Sequence, residues 1–436
     1  MRSMGRRGGV APRLATLIEP LFGGELPLRI RAWDGSEYGP ADAPAVLIRS
    51  RRALRRLLWN PGELGLAQAY VTGELDVEGD LTEGFALVWA AIRERKLTAP
   101  RLTPRQIATA VGTAVGLGAI GPKPSAPRSQ AKLSGVLHSR LRDRAAISHH
   151  YDLSNDFYAL LLDEHMAYSC AYFTSDDPGY TLADAQRDKL DLICGKLGLQ
   201  PGSRLLDIGC GWGSLSLHAA EHYGARVIGV TLSREQQDFV LARVAQRGLT
   251  GQVEIRLQDY REVPTVSSGC GGFDAVSSIE MGEHVGAENY PTFSRVLHGA
   301  VREGGRVLVQ QMSRRDRPGG GAFIESYIAP DMHMRPVGET VGLLEDAGLE
   351  VRDVHAMREH YVWTVRAWLE TLEKNWEAVV DLVGEEVARV WRLYMVGGAL
   401  VFEEGRMGVD QILCVKRSAA GASGMPAVRR DLPGAR

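Results

Sequence analysis

The chain has no run approaching the roughly 20 apolar residues that a membrane-spanning helix requires, so any membrane contact is expected at the surface. The stretch "MRSMGRRGGVAPRLATLIEP" carries charges and prolines where a signal peptide needs an apolar centre, and a cytoplasmic location is expected. Cysteine is scarce. Cys170, Cys194, Cys210, Cys270 and Cys414 form no CxxC pair and are odd in number, which argues against a disulfide framework or a cysteine zinc site and predicts reduced thiols. The charge is balanced, with a net value of −2, and marks no partner; no nucleic acid is expected. No internal repeat stands out. What is present is 44% apolar residues against 24% charged, the balance of a chain that buries a core. At 436 residues it is longer than one core usually supports, so two domains are expected, with a single large enzyme domain carrying insertions as the alternative.

Residues 96–130 combine five prolines with an Ala/Gly stretch and no firm period, which predicts a linker whose middle could hold a short helix. Residues 1–95 then form a small N-terminal domain, 131–420 the main domain and 421–436 a flexible tail. In the small domain, "VLIRSRRALRRLLW" sets Leu47, Leu54, Leu57 and Leu58 on one helical face with Arg51, Arg52, Arg55 and Arg56 around the rest. A basic amphipathic helix of this kind is either a solvated surface helix or a contact with anionic lipid. Beyond residue 200, short apolar runs alternate with helical segments. "RLLDIG", "RVIGVT", "VEIRLQD", "FDAVSSIEM" and "GGRVLVQQM" read as buried parallel strands, which predicts a doubly wound α/β sheet. "LEVRDVHAM" and "VDQILCVK" are two further strand candidates around a helical segment at about 360–405.

"LLDIGCGWGS" follows a strand and opens a helix. Gly209, Gly211 and Gly213 let a ligand approach the backbone at a helix N-terminus. No Lys-Ser pair follows, which disfavours a P-loop. Asp207, just before the glycines, suits an amino-acid ammonium group, so the turn points to S-adenosylmethionine. The second strand lacks the acid that a dinucleotide enzyme places on the ribose; it runs into Thr231, Leu232, Ser233, Arg234, Glu235 and Gln236, of which Thr231 and Gln236 offer polar contacts. Gln258 and Asp259 end the third strand, where they can line and bond an adenine.

"HHYDLSNDFYALLLD", "MAYSCAYF", "LLDIGCGWGS", "GVTLSREQ", "EMGEHVGAENY" and "GRMGVDQILCVKR" together resemble the cyclopropane-fatty-acyl-phospholipid synthases, a family that includes mycolic acid cyclopropane synthases and methyl-branching members. "AQAYVTGELDVEGDL" resembles the N-terminal domain of the phospholipid-modifying members. The resemblance implies a seven-stranded, Rossmann-like methyltransferase sheet with a helical insertion covering the substrate and a smaller N-terminal α+β domain. It also implies cofactor contacts from Tyr168 and Ser169, from Leu205, Leu206, Asp207, Ile208, Gly209, Cys210, Gly211, Trp212 and Gly213, from Thr231 through Gln236, and from Gln258 and Asp259. A bicarbonate pocket is implied around Cys170, Glu283 and Tyr361, with Gln310 where the family's "LLHTI" supplies a histidine. In that pocket Cys170 acts through its backbone or thiol, not as a nucleophile.

The reaction so implied is methyl transfer to the double bond of an unsaturated phospholipid acyl chain at the membrane surface, through a carbocation. Such an ion needs a dry, aromatic-lined site, and Tyr361, Trp363, Trp368, Trp376, Trp391, Tyr394 and Phe402 are candidates for lining it, each with ordinary core packing as its alternative. An amide at position 310 cannot act as a base, which favours a methylene-branched product, open to a partner reductase, over a cyclopropane. A methyltransferase for a small-molecule oxygen or nitrogen acceptor is the alternative enzyme; a lipid-binding scaffold with a dead site is opposed by the intact glycine turn. Self-association into a homo-oligomer stays open.

Overall fold

The computed structural model describes residues 8–97, 103–131, 138, 142, 154–265 and 271–428. Cys270, residues 149–153 of the "HHYDL" stretch and the last eight residues of the tail lie outside them; residues 421–428 carry no helix or strand. The chain forms two compact units, one of residues 1–130 with 321–327 and 383–400, the other of residues 131–320, 328–382 and 401–436.

In the first unit a four-stranded sheet runs in the order β2-β1-β3-β4, with β1 at Arg29–Ala32, β2 at Glu37–Tyr38, β3 at Ala45–Ile48 and β4 at Leu75–Glu78. Ile30, Ala32 and Ile48 from the sheet meet Val10, Ala11, Leu14 and Ala15 of the Val10–Ile18 helix in one core. The basic helix begins at Arg51, capped by the Ser50 hydroxyl, so Leu47 belongs to β3 and not to the helical face assigned to it. Its arginines are also tied into the fold. Arg56 is buried and bonds Glu74 at 2.8 Å, while Arg55 donates to the carbonyls of Ala119 and Ile120 at 3.1 and 3.3 Å. The stretch 96–130 carries in its middle the short helix that its sequence allowed. Thr103 and Gln106 close a capping box on a helix, Pro104–Gly116, and Ala114, Leu117 and Ala119 beyond it are buried.

The second unit holds a seven-stranded sheet in the order β10-β11-β9-β8-β5-β6-β7. The strands are β5 Arg204–Ile208, β6 Arg226–Thr231, β7 Val253–Leu257, β8 Phe273–Ile279, β9 Val301–Ser313, β10 Glu350–Ala356 and β11 Gly408–Val415. β5 to β9 pair in parallel, and β11 runs antiparallel between β9 and β10. Both faces are covered, as continuous apolar strands require. Leu190, Ile193, Leu215, Leu217, Val240 and Val244 cover one face; Tyr290, Phe293, Leu297 and Leu344 cover the other. The helical stretch expected as one covering insertion is divided: Arg358–Lys374 belongs to this unit, and residues 383–400 to the first.

Candidate active site

A cavity opens at the carboxyl ends of β5, β6, β7 and β8, where an open parallel sheet binds its ligands. Its floor is the turn between β5 and the helix Ser214–Tyr223. Gly209, Gly211 and Gly213 all have positive φ, at 77°, 55° and 78°. A Cβ on Gly213 would stand 2.6 Å from Val240 Cγ1, so this glycine serves helix packing, whereas a Cβ on Gly211 would meet nothing and its face is open to a ligand. Asp207 is buried at the base of the cavity. Its carboxylate accepts the hydroxyls of Ser216 at 2.8 Å and Ser277 at 2.9 Å, and burial raises its pKa against those bonds and the charge of Lys189.

Tyr168, Ser169, Asp207, Ile208, Gly209, Cys210, Gly211, Trp212, Thr231, Leu232, Gln236, Gln258 and Asp259 all line this cavity. Six others assigned to the cofactor do not. Leu205 and Leu206 point into the two cores, Gly213 packs on Val240, Ser233 caps the next helix on Gln236 N at 3.2 Å, and Arg234 and Glu235 are exposed. Asp259 lines the cavity while already gripped by Arg261, whose Nε and Nη2 donate to it at 2.8 and 2.7 Å. The sequence reading missed Lys189. This residue is fully buried, its ammonium donates to Ser169 Oγ at 2.9 Å, and burial lowers its pKa against the opposing charges of Glu280 and Asp163. Its position on a helix that otherwise faces the core, in "AQRDKLDL", was the available signal.

The expected bicarbonate donors do converge, but on a side chain of the protein. Cys170 N donates to Glu280 Oε1 at 2.8 Å, Gln310 Nε2 to the same oxygen at 2.8 Å, and Tyr361 OH to Oε2 at 2.6 Å. Gln310 is oriented in turn by Gln411, which donates to its Oε1 at 2.9 Å. Burial raises the pKa of Glu280 and the three donors pull it back. Glu280 also lines the cavity and holds a φ of 50°, a left-handed conformation that a non-glycine residue adopts at a cost and that here turns its carboxylate toward the donors. The Cys170 thiol is fully buried and pushed well above its ordinary pKa by that burial and by Glu280, which keeps it in the thiol form.

Glu283, assigned to this pocket, bonds a different donor. Its Oε1 accepts Met312 N at 2.6 Å, and burial, reinforced by the charge of Glu280, pushes its pKa up to about 8. It is therefore a neutral acid at pH 7, which needs no cationic partner. Gly282–His284 is a tight 3₁₀ turn, and Glu280 and Glu283 have different hydrogen-bond partners. His284 lines the cavity uncharged, its pKa pushed down to about 4 by burial.

An aromatic row joins the cavity to the carboxylate. Tyr168 packs on Trp368 at 5.3 Å, Trp368 on Tyr361 at 6.2 Å, and Tyr361 on Phe402 at 4.6 Å between ring centroids. The other candidate aromatics stand elsewhere. Trp363 is exposed beside Phe173, Trp376 is half-buried, and Trp391 and Tyr394 pack on each other within the first unit.

A family model described as mycolic acid cyclopropane synthetase matches residues 138–412. A probable fatty acid methyltransferase of Pseudomonas putida is 38% identical over 427 residues, which cover 96% of this chain and 99% of that protein. The tuberculostearic acid methyltransferase of Mycobacterium tuberculosis is 34% identical over 93% of this chain and 92% of its own length. A crystal structure of a mycolic acid cyclopropane synthase complexed with SAH and CTAB aligns with a TM-score of 0.58 at 33% identity, over 62% of this chain and 97% of that one. The residues here fit the cofactor so implied: Gly211 leaves an open cradle at a helix N-terminus, and the buried Asp207 carboxylate faces the same cavity.

Proposed function

The chain belongs to the mycolic acid cyclopropane synthetase family and is an S-adenosylmethionine-dependent methyltransferase of a lipid-modifying kind; from that premise we propose that it methylates the double bond of an unsaturated phospholipid acyl chain, giving a methylene-branched chain. When bound, S-adenosylmethionine supplies an electrophilic methyl group to the π electrons of the alkene, which leaves a carbocation on the acyl chain. Tyr168, Trp368 and Tyr361 keep water from that cation and offer it their ring faces. A hydride shift from the methylated carbon to its neighbour then moves the positive charge onto the methyl-bearing carbon, and Glu280 takes a proton from the added methyl. Its carboxylate oxygen forms the new O–H bond, and the electrons of the broken methyl C–H bond form the C=CH2 double bond.

The observation that carries this reading is Glu280 itself, a buried carboxylate held by three donors in the wall of the cofactor cavity. It takes the three donors that were expected to hold a bicarbonate, which supports a reaction in which Glu280 fills that ion's role. The branched product, with a separate reductase to saturate it, is favoured because the relatives matched over nearly their whole length are named as fatty acid and tuberculostearic acid methyltransferases.

The test is expression in a cell that makes monounsaturated phospholipids and has no enzyme of this kind, followed by mass spectrometry of derivatised fatty acids. A methylene branch is expected. A cyclopropane as sole product overturns the branch, and unmodified lipids with methylated polar small molecules overturn the lipid substrate. Purified protein assayed in bicarbonate-depleted buffer should keep its rate.

A further inference from the structure

The helix Pro104–Gly116 is unusual for what it leaves uncovered. Ile107, Val111 and Val115, spaced i, i+4, i+8 on one face, are 48%, 45% and 61% exposed, and Ile120 just beyond is 52% exposed. Only Ala114 of the helix is buried, anchoring it together with Leu117 and Ala119 against the first unit's core. The apolar surface continues past the helix end, because Trp59, half exposed, donates its indole N–H to Gly121 O at 3.1 Å. A contiguous exposed apolar surface of this kind marks an interaction site.

The sequence flanking it carries charge of one sign. Between Glu94 and Asp143 the sequence contains no acidic residue and nine lysines and arginines. Of these, Arg105, Lys123 and Arg128 are exposed, and the exposed Arg13 and Arg51 add their guanidinium groups beside Gly116 and Gly118 at the helix end. We propose that this face docks the protein onto anionic lipid bilayers, with Ile107, Val111, Val115, Ile120 and Trp59 in the acyl boundary and the arginines at headgroup phosphates. Thirteen residues make a helix of about 20 Å at 1.5 Å per residue, short of the roughly 30 Å hydrocarbon core, so it lies in the interface without crossing. The apolar face supplies insertion and the basic rim supplies attraction, the two signals that interfacial binding combines. The arginine helix at residues 51–59, by contrast, spends Arg55 and Arg56 on the fold itself.

The choice of lipid as partner rests on the function proposed above, so the test separates the two. Full-length protein is floated with phosphatidylcholine vesicles, with and without phosphatidylglycerol, and methyl transfer is measured on detergent-dispersed unsaturated phospholipid. Wild type is expected to float with the anionic vesicles and to weaken at high salt. Val111→Glu, and separately Val115→Glu, should cut that partitioning at least about tenfold with unchanged melting temperature and unchanged transfer to dispersed lipid. Wild type that floats with neither vesicle, or variants that float as wild type does, overturns the proposal. So does a wild-type dimer made monomeric by Val111→Glu without loss of flotation, which would make the face a contact between two copies. Absence of transfer to dispersed lipid by wild type would defeat the functional reading alone, since flotation still decides the docking.

Discussion

The cofactor wall and the Glu280 niche adjoin in one unit but are built differently. The wall is made from consecutive stretches, the β5 turn and the ends of β6 and β7, and presents backbone N–H groups at a helix N-terminus with two carboxylates, Asp207 and Asp259. The niche draws Cys170 from a loop, Glu280 from the end of β8, Gln310 from β9 and Tyr361 from the helix Arg358–Lys374. A ligand read by backbone and turn geometry can be served by a short segment. A buried charge cannot, because an ion out of water must collect hydrogen bonds from every side, and in a fold those sides belong to distant parts of the chain.

The widest gap between the two regions is expected from Glu280→Gln. An amide cannot take a proton, so turnover should fall by about 10²- to 10⁴-fold, while cofactor affinity measured by calorimetry changes far less; equal losses in both would merge niche and wall into one binding site. Asp207→Ala should do the reverse. It removes a charged acceptor, which costs about 1.5–3 kcal/mol or roughly 10- to 150-fold in cofactor affinity, and a folded variant with wild-type affinity would remove Asp207 from the wall.

Tyr361→Phe tests the niche more gently. The carboxylate of Glu280 must be ionised to act, so its rate rises with pH through its pKa and levels above it. Loss of the 2.6 Å phenol bond removes one stabiliser of the ionised form, so the acid limb of the pH–rate profile should move to higher pH with a loss of severalfold at neutral pH; an unmoved limb would detach Tyr361 from the proton acceptor.

The smallest effect on turnover is expected three residues from Glu280. Glu283 titrates at about 8, so Glu283→Gln replaces one neutral acceptor of Met312 N by another and should keep the rate within about threefold, well inside the general-base range above. Its stability effect has a definite sign. Unfolded, this carboxyl ionises near about 4.3; folded, it holds its proton to about 8. The unfolded state therefore binds fewer protons across that window, and wild-type stability falls as pH rises through it, by about 1.4 kcal/mol for each pH step of one within the window. Thermal melts from pH 5 to 8 should show Glu283→Gln gaining on wild type as pH rises. A parallel pair of curves would refute the buried acid.

Much of the second unit was legible. The five parallel strands and the glycine turn are contiguous patterns of apolar runs and positive-φ residues, and each local preference agrees with the sheet that forms. Glu280 was not, because it stands three residues before the more conspicuous Glu283 of "EHVG", and only the turn after β8 decides which carboxylate meets Cys170. In the first unit the proline-rich stretch allowed a short helix without fixing its bounds, since five prolines weigh against regular structure whereas Thr103 and Gln106 need only four positions to start it.

The sequence by itself determined the sheet, the cofactor turn and the exclusion of a membrane-spanning helix, because periodicity and turn chemistry act over a few residues at a time. Only the tertiary structure decided which glutamate is surrounded by donors, which aromatic rings stand together and which helical face is left to solvent. Those depend on burial, and burial is a property of how distant segments close on one another, which no single segment carries.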